Sequence, residues 1–487
     1  MQREELVSLI DTIKEHKCEM QEIEVKAAEK GCPSRLYDTL SSFSNQDSGG
    51  VIVFGLAEDR GFQTNGVYDA QDLQKKVTEQ CKQMAPVIRP LFTVASYGGK
   101  TVVSAEIPGI DIVERPAFYK GVGRIRGSYI RVGESDERMS EYEIYSYEAY
   151  KRKISDELRV LEKREINELN RNEVTLFLAK LRTKKPNLSE LTDKKNLVLS
   201  GIYSDDKLTL AGLMLLGLYP QAVFPQFCIT AVVVPGYHIG EIGEDDERFS
   251  DNKKFEGTLP QMIEGAISFI KRNMKEKTII DRNGRRADKT EYPLRAIREI
   301  ILNAVIHRDY SIHTERSPIR ILMYRDRIEV ENPGGLYGRI TLGNLGRVGA
   351  DTRNPFIASN LEIMIDTENR FSGIPIIINE MEKAGLRPPV FENGRGVFKV
   401  TLYNEKMSDS NGNGNGVHIS ERLLDFCETP RTRVELEQFT GFSRYYTMSK
   451  IVQPLIGSGK LEMTLPDKPK SAKQMYVKTQ RERDHHG

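Results

Sequence analysis

Glu299, Asn303 and His307 recur every four residues in the stretch REIILNAVIHRDY (298–310), which stacks an acid, an amide and an imidazole in one row along a helix. The residues between them, Ile300, Ile301, Leu302, Ala304, Val305 and Ile306, are apolar, so the helix otherwise belongs in a core. Such a row has two readings. It is a hydrogen-bonded or wet edge that serves structure only, or it is the polar lining of a pocket. The next segment, IRILMYRDRIEVENPGGL, reads as strand, turn, strand and ends in Asn332, Pro333, Gly334 and Gly335. Glycines directly after a strand let backbone approach a ligand closely. GRVGADTRNPFIASNL then gives a loop with Arg347 and Arg353, and FSGIPIIINEMEKAGL brings Ser372 and Gly373 to a helix start, where phosphate binds well.

A second cluster of chemistry lies near the N-terminus. CEMQEIEVKAAEKG places Glu19, Glu22, Glu24 and Lys26 together, and SSFSNQDSGGVIVFGLAEDRG supplies Gly49, Gly50, Asp59 and Gly61. Glu24 and Lys26 share one face of a strand. Carboxylates around a divalent cation beside a lysine suit phosphodiester cleavage, while solvated acids at a helix-to-strand edge produce the same spacing. Further on, KGVGRIRGSYIRVG interleaves Lys120, Arg124, Arg126 and Arg131 with glycines and Tyr129. That pattern suits phosphate contact, and equally the charged outer face of a hairpin.

These residues must be positioned by several domains. The chain has 487 residues, 39% hydrophobic and 29% charged, an ordinary mixture able to bury cores. Its net charge of +1 means that a nucleic-acid partner would be held by local basic patches. Five scattered cysteines with no CxxC pair argue against a disulfide framework or zinc site and fit a reducing cytoplasm. No apolar run is long enough to span a membrane, and the charged N-terminal segment lacks a signal-peptide core.

The pattern over residues 1–140 is α+β, with helices over 2–17, SRLYDTLSSFSN and 70–84 alternating with short strands. Residues 139–173 are charged and helix-prone and read as one connecting helix after a first domain ending near 140, and the connector as a whole is taken as 141–205. Residues 206–407 mix helices (LPQMIEGAISFIKRNMK, LRAIREIILNAVIH) with strands (FCITAVVVPGY, GVFKVTLY). SDSNGNGNG (408–416) is a flexible linker in composition, and it isolates a C-terminal domain, 417–487. There Thr429-Pro430 reads as a helix start and Ser443 as the next N-cap. A recognition helix from Arg444 to about Ile456, carrying Lys450, then precedes a basic strand pair with Lys460, Lys468, Lys470, Lys473 and Lys478.

Three resemblances follow from these motifs. IEVKA…FSNQDSGGVIVFGLAEDRG with RPAFYKGVGRIRGSYIRVGES resembles the AlbA-like domain of Schlafen proteins and their bacterial relatives, over about residues 10–140. It implies nucleic-acid binding through residues such as Lys26, Lys120, Arg124, Arg126 and Arg131. In nuclease members it implies a metal-binding catalytic trio that matches Glu19, Glu24 and Asp59. EIILNAVIHRDY, NPGGL and RNPFIASNL resemble the GHKL ATP-binding fold of RecG-related bacterial proteins, over about 206–405. That resemblance implies ATP and Mg²⁺ as cofactors, with Asn303 as a Mg²⁺ ligand and Glu299 orienting or deprotonating an attacking water. It further implies His307 near phosphate or ribose, Asn332 accepting from the adenine amine in place of the usual aspartate, Gly334 and Gly335 flanking the base, and Arg353, Ser372 and Gly373 near the phosphates. The C-terminal pattern is similar to a winged helix, with Arg444, Lys450 and Lys460 toward DNA. The expected fold is multidomain α+β: an AlbA-like domain, a GHKL-like α/β sandwich and a winged helix. The expected function is an ATP-binding, nucleic-acid-binding regulator, homo-oligomeric and cytoplasmic, in which nucleotide controls domain arrangement or oligomer state. An ATP-gated, metal-dependent nuclease acting on foreign nucleic acid is the alternative.

Overall fold

The computed structural model describes residues 1–16, 21–243, 247–280, 286–349, 351–365, 373–405, 423–424, 426–440, 447–466 and 474–479. The chain divides into two compact units, Met1–Ser155 with Tyr337–Arg339, and Asp156–Leu336 with Ile340–Gly487. Among the described residues no helix is long and apolar enough to cross a membrane.

The first unit is built on a four-stranded sheet of β1 (Ile23–Lys26), β2 (Gly50–Phe54), β3 (Leu91–Tyr97) and β4 (Lys100–Ile107), in the order β1-β2-β4-β3. β1 runs parallel to β2, and the other neighbours are antiparallel. Val25, Val53 and Val102 meet Leu6, Ile10 and Ile13 of α1 (Arg3–His16) in one core. Ile52, Phe54, Val103 and Ala105 meet α2 (Tyr37–Ser44) and α3 (Ala70–Lys82) in another. Both faces of the sheet are therefore covered by helices, which is why β2 (GVIVF) is a continuous apolar run and not an alternation of apolar and polar residues. A short α4 (Gly123–Gly127) leads into the hairpin of β5 (Tyr129–Val132) and β6 (Ser135–Arg138).

The expected single helix over 139–173 is not formed. α5 covers Glu141–Arg152, opened by a Ser140–Glu143 capping box, and stops where Lys153 turns left-handed at φ 52°. Beyond it, 156–170 is a series of short turns, then α6 (Arg171–Lys184), α7 (Asp193–Leu199) and α8 (Leu210–Leu216) follow. This stretch is no separate connector. Leu169, Phe177, Leu178, Leu181 and Leu197 are buried in the same core as the central sheet of the second unit.

That central sheet has six strands: β7 (Ile229–Val233), β8 (Asp251–Phe255), β9 (Ile319–Met323), β10 (Arg327–Pro333), β11 (Val390–Gly394) and β12 (Val397–Tyr403), ordered β8-β7-β9-β10-β12-β11. Only β7 and β9 are parallel. α9 (Leu259–Asn273) and α10 (Leu294–His307) pack with it, α12 (Gly373–Lys383) packs against α10, and α11 (Pro355–Met364) packs against α6 and α8. α10 buries Ala296, Ile297, Ile300, Ile301, Ala304 and Val305, the i, i+3, i+4 stripe of a core-facing helix.

The C-terminal residues form a small antiparallel sheet of β13 (Arg431–Thr432), β14 (Leu461–Met463) and β15 (Met475–Lys478), ordered β13-β15-β14, with α13 (Arg433–Thr440) and α14 (Gln453–Gly457). Leu436, Ile451, Val452, Leu455, Leu461 and Tyr476 share its core. The first helix starts three residues later than Thr429-Pro430 suggests. Thr432 and Glu435 form a reciprocal cap, with Thr432 N–H donating to Glu435 at 2.7 Å and Glu435 N–H donating to the Thr432 hydroxyl at 3.3 Å. Ser443, Arg444, the linker 408–416 and the lysines at 468, 470 and 473 lie outside the described residues. Lys478, read as part of a basic strand pair, is 4% exposed.

One long-range contact ties the 156–200 stretch to the rest of its unit. The carboxylate of Glu157, wholly buried, accepts the N–H groups of Phe356 (2.9 Å) and Ile357 (2.7 Å) at the start of α11. A carboxylate at a helix N-terminus meets both orphan donors and the positive end of the dipole. Glu157→Ala should lower the unfolding free energy of this unit by about 1–3 kcal/mol, and Glu157→Gln by less, in urea titrations followed by circular dichroism.

Candidate functional site

The row on α10 forms as its spacing implies. Glu299, Asn303 and His307 are all half-buried on one side of the helix, while their neighbours are in the core. The start of α12 lies directly on this row. A Cβ placed on Gly373 would stand 2.9 Å from Asn303 Nδ2 and 3.3 Å from Glu299 Oε2, so nothing larger than glycine fits there without a shift. Asn303 Nδ2 is buried and has no hydrogen-bond partner among the described residues. Leaving a buried amide group unpaired costs about 1–3 kcal/mol, which a ligand can recover. Ser372, the expected neighbour of Gly373, lies outside the described residues.

The electrostatics of the row are set by burial. Desolvation raises the Glu299 carboxyl above its ordinary value, against the lowering effect of Arg295 and Arg298. A glutamate so shifted is a better base near neutrality. Desolvation and then the charge of Arg353 push His307 down to about 4. At neutral pH His307 is therefore an uncharged hydrogen-bonding group and not a cation for phosphate.

The glycine box is held from behind. On β10, Ile328, Val330 and Asn332 alternate onto the buried face, and β10 packs against α10. Asn332 is 5% exposed, and its Oδ1 has no hydrogen-bond partner among the described residues. Gly334 has φ +108°, and a Cβ there would meet Asp309 Cβ at 2.7 Å, so a side chain is excluded both by the backbone and by the neighbour. Gly335 approaches Asn393, whose Oδ1 accepts the Leu336 N–H at 2.9 Å.

Arg353 has a different place from the one expected. Its guanidinium is 6% exposed, forms an ion pair with Asp309 and donates to the Gly335 carbonyl at 3.3 Å. It holds the glycine turn in place, since a buried arginine paired with a carboxylate is not presented to a phosphate. Three residues absent from the sequence reading thus shape the site. Asp309 stands in the same HRDY stretch as the row. Asn354 donates to the carbonyls of Ile306 (2.8 Å) and Arg308 (2.7 Å) and closes the end of α10. Glu157 has no local signal, because its partners lie about two hundred residues away.

In the first unit, Glu24 is 6% exposed on β1. One carboxylate oxygen pairs with Lys26, and the other lies 2.9 Å from Arg131 Nη1. Arg131 also pairs with Asp136 at 3.0 Å and lies over the Phe43 ring, while Asp136 accepts from Thr39 and Ser42. Each oxygen of Glu24 therefore already faces a cation, which does not fit a metal-ligand role. Asp59 is exposed on the turn Glu58–Arg60, and Glu19 lies outside the described residues. Among the described residues no group of three or more His, Cys, Asp or Glu side chains could hold a metal.

The basic loop divides into buried and exposed members. Arg131 is a core side chain and not a phosphate contact. Arg124 is partly exposed and pairs with Glu148. Arg126 and Lys120 are exposed, with Lys120 Nζ donating to the Lys82 carbonyl at 2.8 Å. In the C-terminal module Lys460 is exposed, while Arg444 and the side chain of Lys450 are outside the described residues.

Two outcomes follow. Glu24→Ala leaves Arg131 buried with one partner fewer and should cost about 3–5 kcal/mol, whereas Asp59→Ala on the surface should stay within about 0.5 kcal/mol, both read by chemical denaturation. His307 takes up its proton at lower pH in the folded than in the unfolded chain, so it removes stability as pH falls from 6.5 toward about 4. Thermal melts across that window should fall more steeply for wild type than for His307→Gln. Glu299 has the opposite sign: its contribution is full below its ordinary value and is lost as pH rises through the raised one.

Three stretches of the chain match family models. Residues 19–140 match the family "Schlafen, AlbA_2", residues 146–230 match "Domain of unknown function (DUF8451)", and residues 316–402 match "Putative ATP-dependent DNA helicase recG C-terminal". No curated protein matches the chain. Among solved structures, the DIP2311 protein from Corynebacterium diphtheriae is 16% identical, with 98% of this chain and 100% of that chain covered and a TM-score of 0.40. The N-terminal domain of a RecG-related protein from Nitrosomonas europaea is 26% identical, with 28% of this chain and 93% of that chain covered and a TM-score of 0.23. The chain carries a Schlafen AlbA_2 domain followed by a RecG C-terminal domain of the HATPase type.

Proposed function

We propose that this chain is an ATP-binding regulator of a nucleic acid, with DNA favoured, in which the second unit binds the nucleotide and the first unit and C-terminal module contact the nucleic acid. The observation that carries the reading is the α10 row: Glu299 and Asn303, whose Nδ2 has no partner among the described residues, lie under Gly373, on the helix that packs against β10. The match to a HATPase-type family over 316–402 supports it.

In this reading the side-chain oxygen of Asn303 would hold a Mg²⁺ ion, and its unpaired Nδ2 would donate to a phosphate oxygen. The ion would neutralise phosphate charge and polarise the terminal phosphoryl group. Glu299, its carboxyl raised by burial, orients and accepts a proton from water if the nucleotide is turned over. Neutral His307 offers a hydrogen bond to ribose or phosphate. Gly334 and Gly335 admit the base, and the Asp309–Arg353 pair keeps that turn in place. Exposed Lys120, Arg126 and Lys460, with partly exposed Lys26 and Arg124, serve nucleic acid, and the C-terminal module acts as a winged helix. ATP switches the protein by favouring one arrangement of domains or one oligomer, to the extent that it binds that state better. The nuclease alternative loses support at Glu24, whose oxygens already face Lys26 and Arg131.

A fluorescent ATP analogue titrated into wild type should bind in a Mg²⁺-dependent manner, and Asn303→Ala should weaken it by about tenfold or more. ATP should then shift the affinity for a labelled oligonucleotide in wild type and not in the variant. Folded wild type that binds no analogue would overturn the reading.

A further inference from the structure

Asn332 is a buried polar side chain at the proposed pocket, and unlike Asp309 and Asn354 it has no side-chain hydrogen bond among the described residues. It is 5% exposed, at the end of the buried face formed by Ile328 and Val330. Its Oδ1 is enclosed without a hydrogen-bond partner, and no hydrogen bond to either end of the amide is present among the described residues. The two residues beyond Pro333 are glycines, and a Cβ would stand 2.7 Å from Asp309 Cβ at Gly334 and 3.0 Å from Asn393 Oδ1 at Gly335. A carboxamide presents an acceptor and a donor side by side in one plane. Its natural complement is a planar group that presents a donor beside an acceptor. The 6-amino and N1 positions of adenine do so. The 6-oxo and N1–H positions of guanine or hypoxanthine also do so, in the reverse order.

We infer that Asn332 is a specificity-determining residue that lets this pocket accept purine nucleoside triphosphates of both kinds, 6-amino and 6-oxo. The inference rests on the nucleotide-binding reading above and extends it to the base. Turning the amide by half a circle exchanges its donor and acceptor. No internal hydrogen bond among the described residues fixes which way it faces, so either order of the base edge can be met. A carboxylate at this position would offer acceptors alone, would suit the amine of adenine and would repel a 6-oxo group. A site built around a fixed hydrogen bond rejects the wrong partner strongly, whereas one that can turn its amide does not.

The test is competition of unlabelled ATP and ITP, each with Mg²⁺, against a fluorescent ATP analogue on the full chain. ITP carries the 6-oxo edge without the 2-amino group of guanine, so it isolates the edge in question. Wild type should bind the two within about tenfold of one another. Asn332→Asp should keep ATP and weaken ITP by about tenfold or more relative to it, and Asn332→Ala should weaken both alike. A wild-type preference for ATP of about a hundredfold or more would overturn the inference while leaving ATP binding intact. An unchanged ITP-to-ATP ratio in Asn332→Asp would also overturn it. If neither nucleotide competes and the analogue itself does not bind, the nucleotide reading falls and this inference with it. The wild-type ratio decides the point even where a variant does not fold.

Discussion

The arrangement of the second unit depends on how the C-terminal end of α10 is closed. A helix leaves its last carbonyls without partners, and this one ends in the core, where water cannot serve them. Asn354 supplies both hydrogens of its amide to Ile306 and Arg308, and the Tyr310 hydroxyl reaches Val305 at 3.0 Å. The residue before Asn354 is Arg353, paired with Asp309 and bonded to Gly335, and the residues after it begin α11, whose amides sit on Glu157. Five consecutive residues, 353–357, thus connect the end of α10, the glycine turn after β10 and the 156–200 stretch. The row that could meet a nucleotide and the turn that could meet its base are held in register by the same short segment.

The first unit follows a similar logic with charge in place of caps. Arg131 would be costly in the core without carboxylates, and Glu24 and Asp136 provide them, with Asp136 anchored by Thr39 and Ser42. This cluster ties β1 to the β5–β6 hairpin and α2. Glu24, an acid that by spacing alone suits a metal, is here part of the framework, and the exposed basic residues from the sequence reading of this unit are Lys120 and Arg126, with Lys26 and Arg124 partly exposed.

Much of this was readable from local pattern. The i, i+4 spacing announced the row on α10, the alternation of β9 and β10 announced the sheet, and the two glycines after Pro333 announced a turn that tolerates no side chain. What could not be read was whatever depends on distance in sequence. Arg131 looks like any other basic residue of its loop until Glu24, more than a hundred residues earlier, is seen beside it. Arg353 looks like a phosphate ligand until Asp309 is found under Gly334. The charged run after 140 looks like one helix because propensity favours it. It breaks at Lys153, and the following segment turns inward to place Leu169 and Phe177 in the large core. Propensity is a weak guide where tertiary burial competes with it.

The most direct measurement is amide hydrogen exchange of the full chain with and without Mg²⁺ and ATP. The account predicts added protection centred on 294–309 and 353–357, because ligand on the α10 row must suppress opening of the segment that closes it. Exchange that is unchanged in both segments at saturating ATP, or protection confined to residues 1–155, would contradict it.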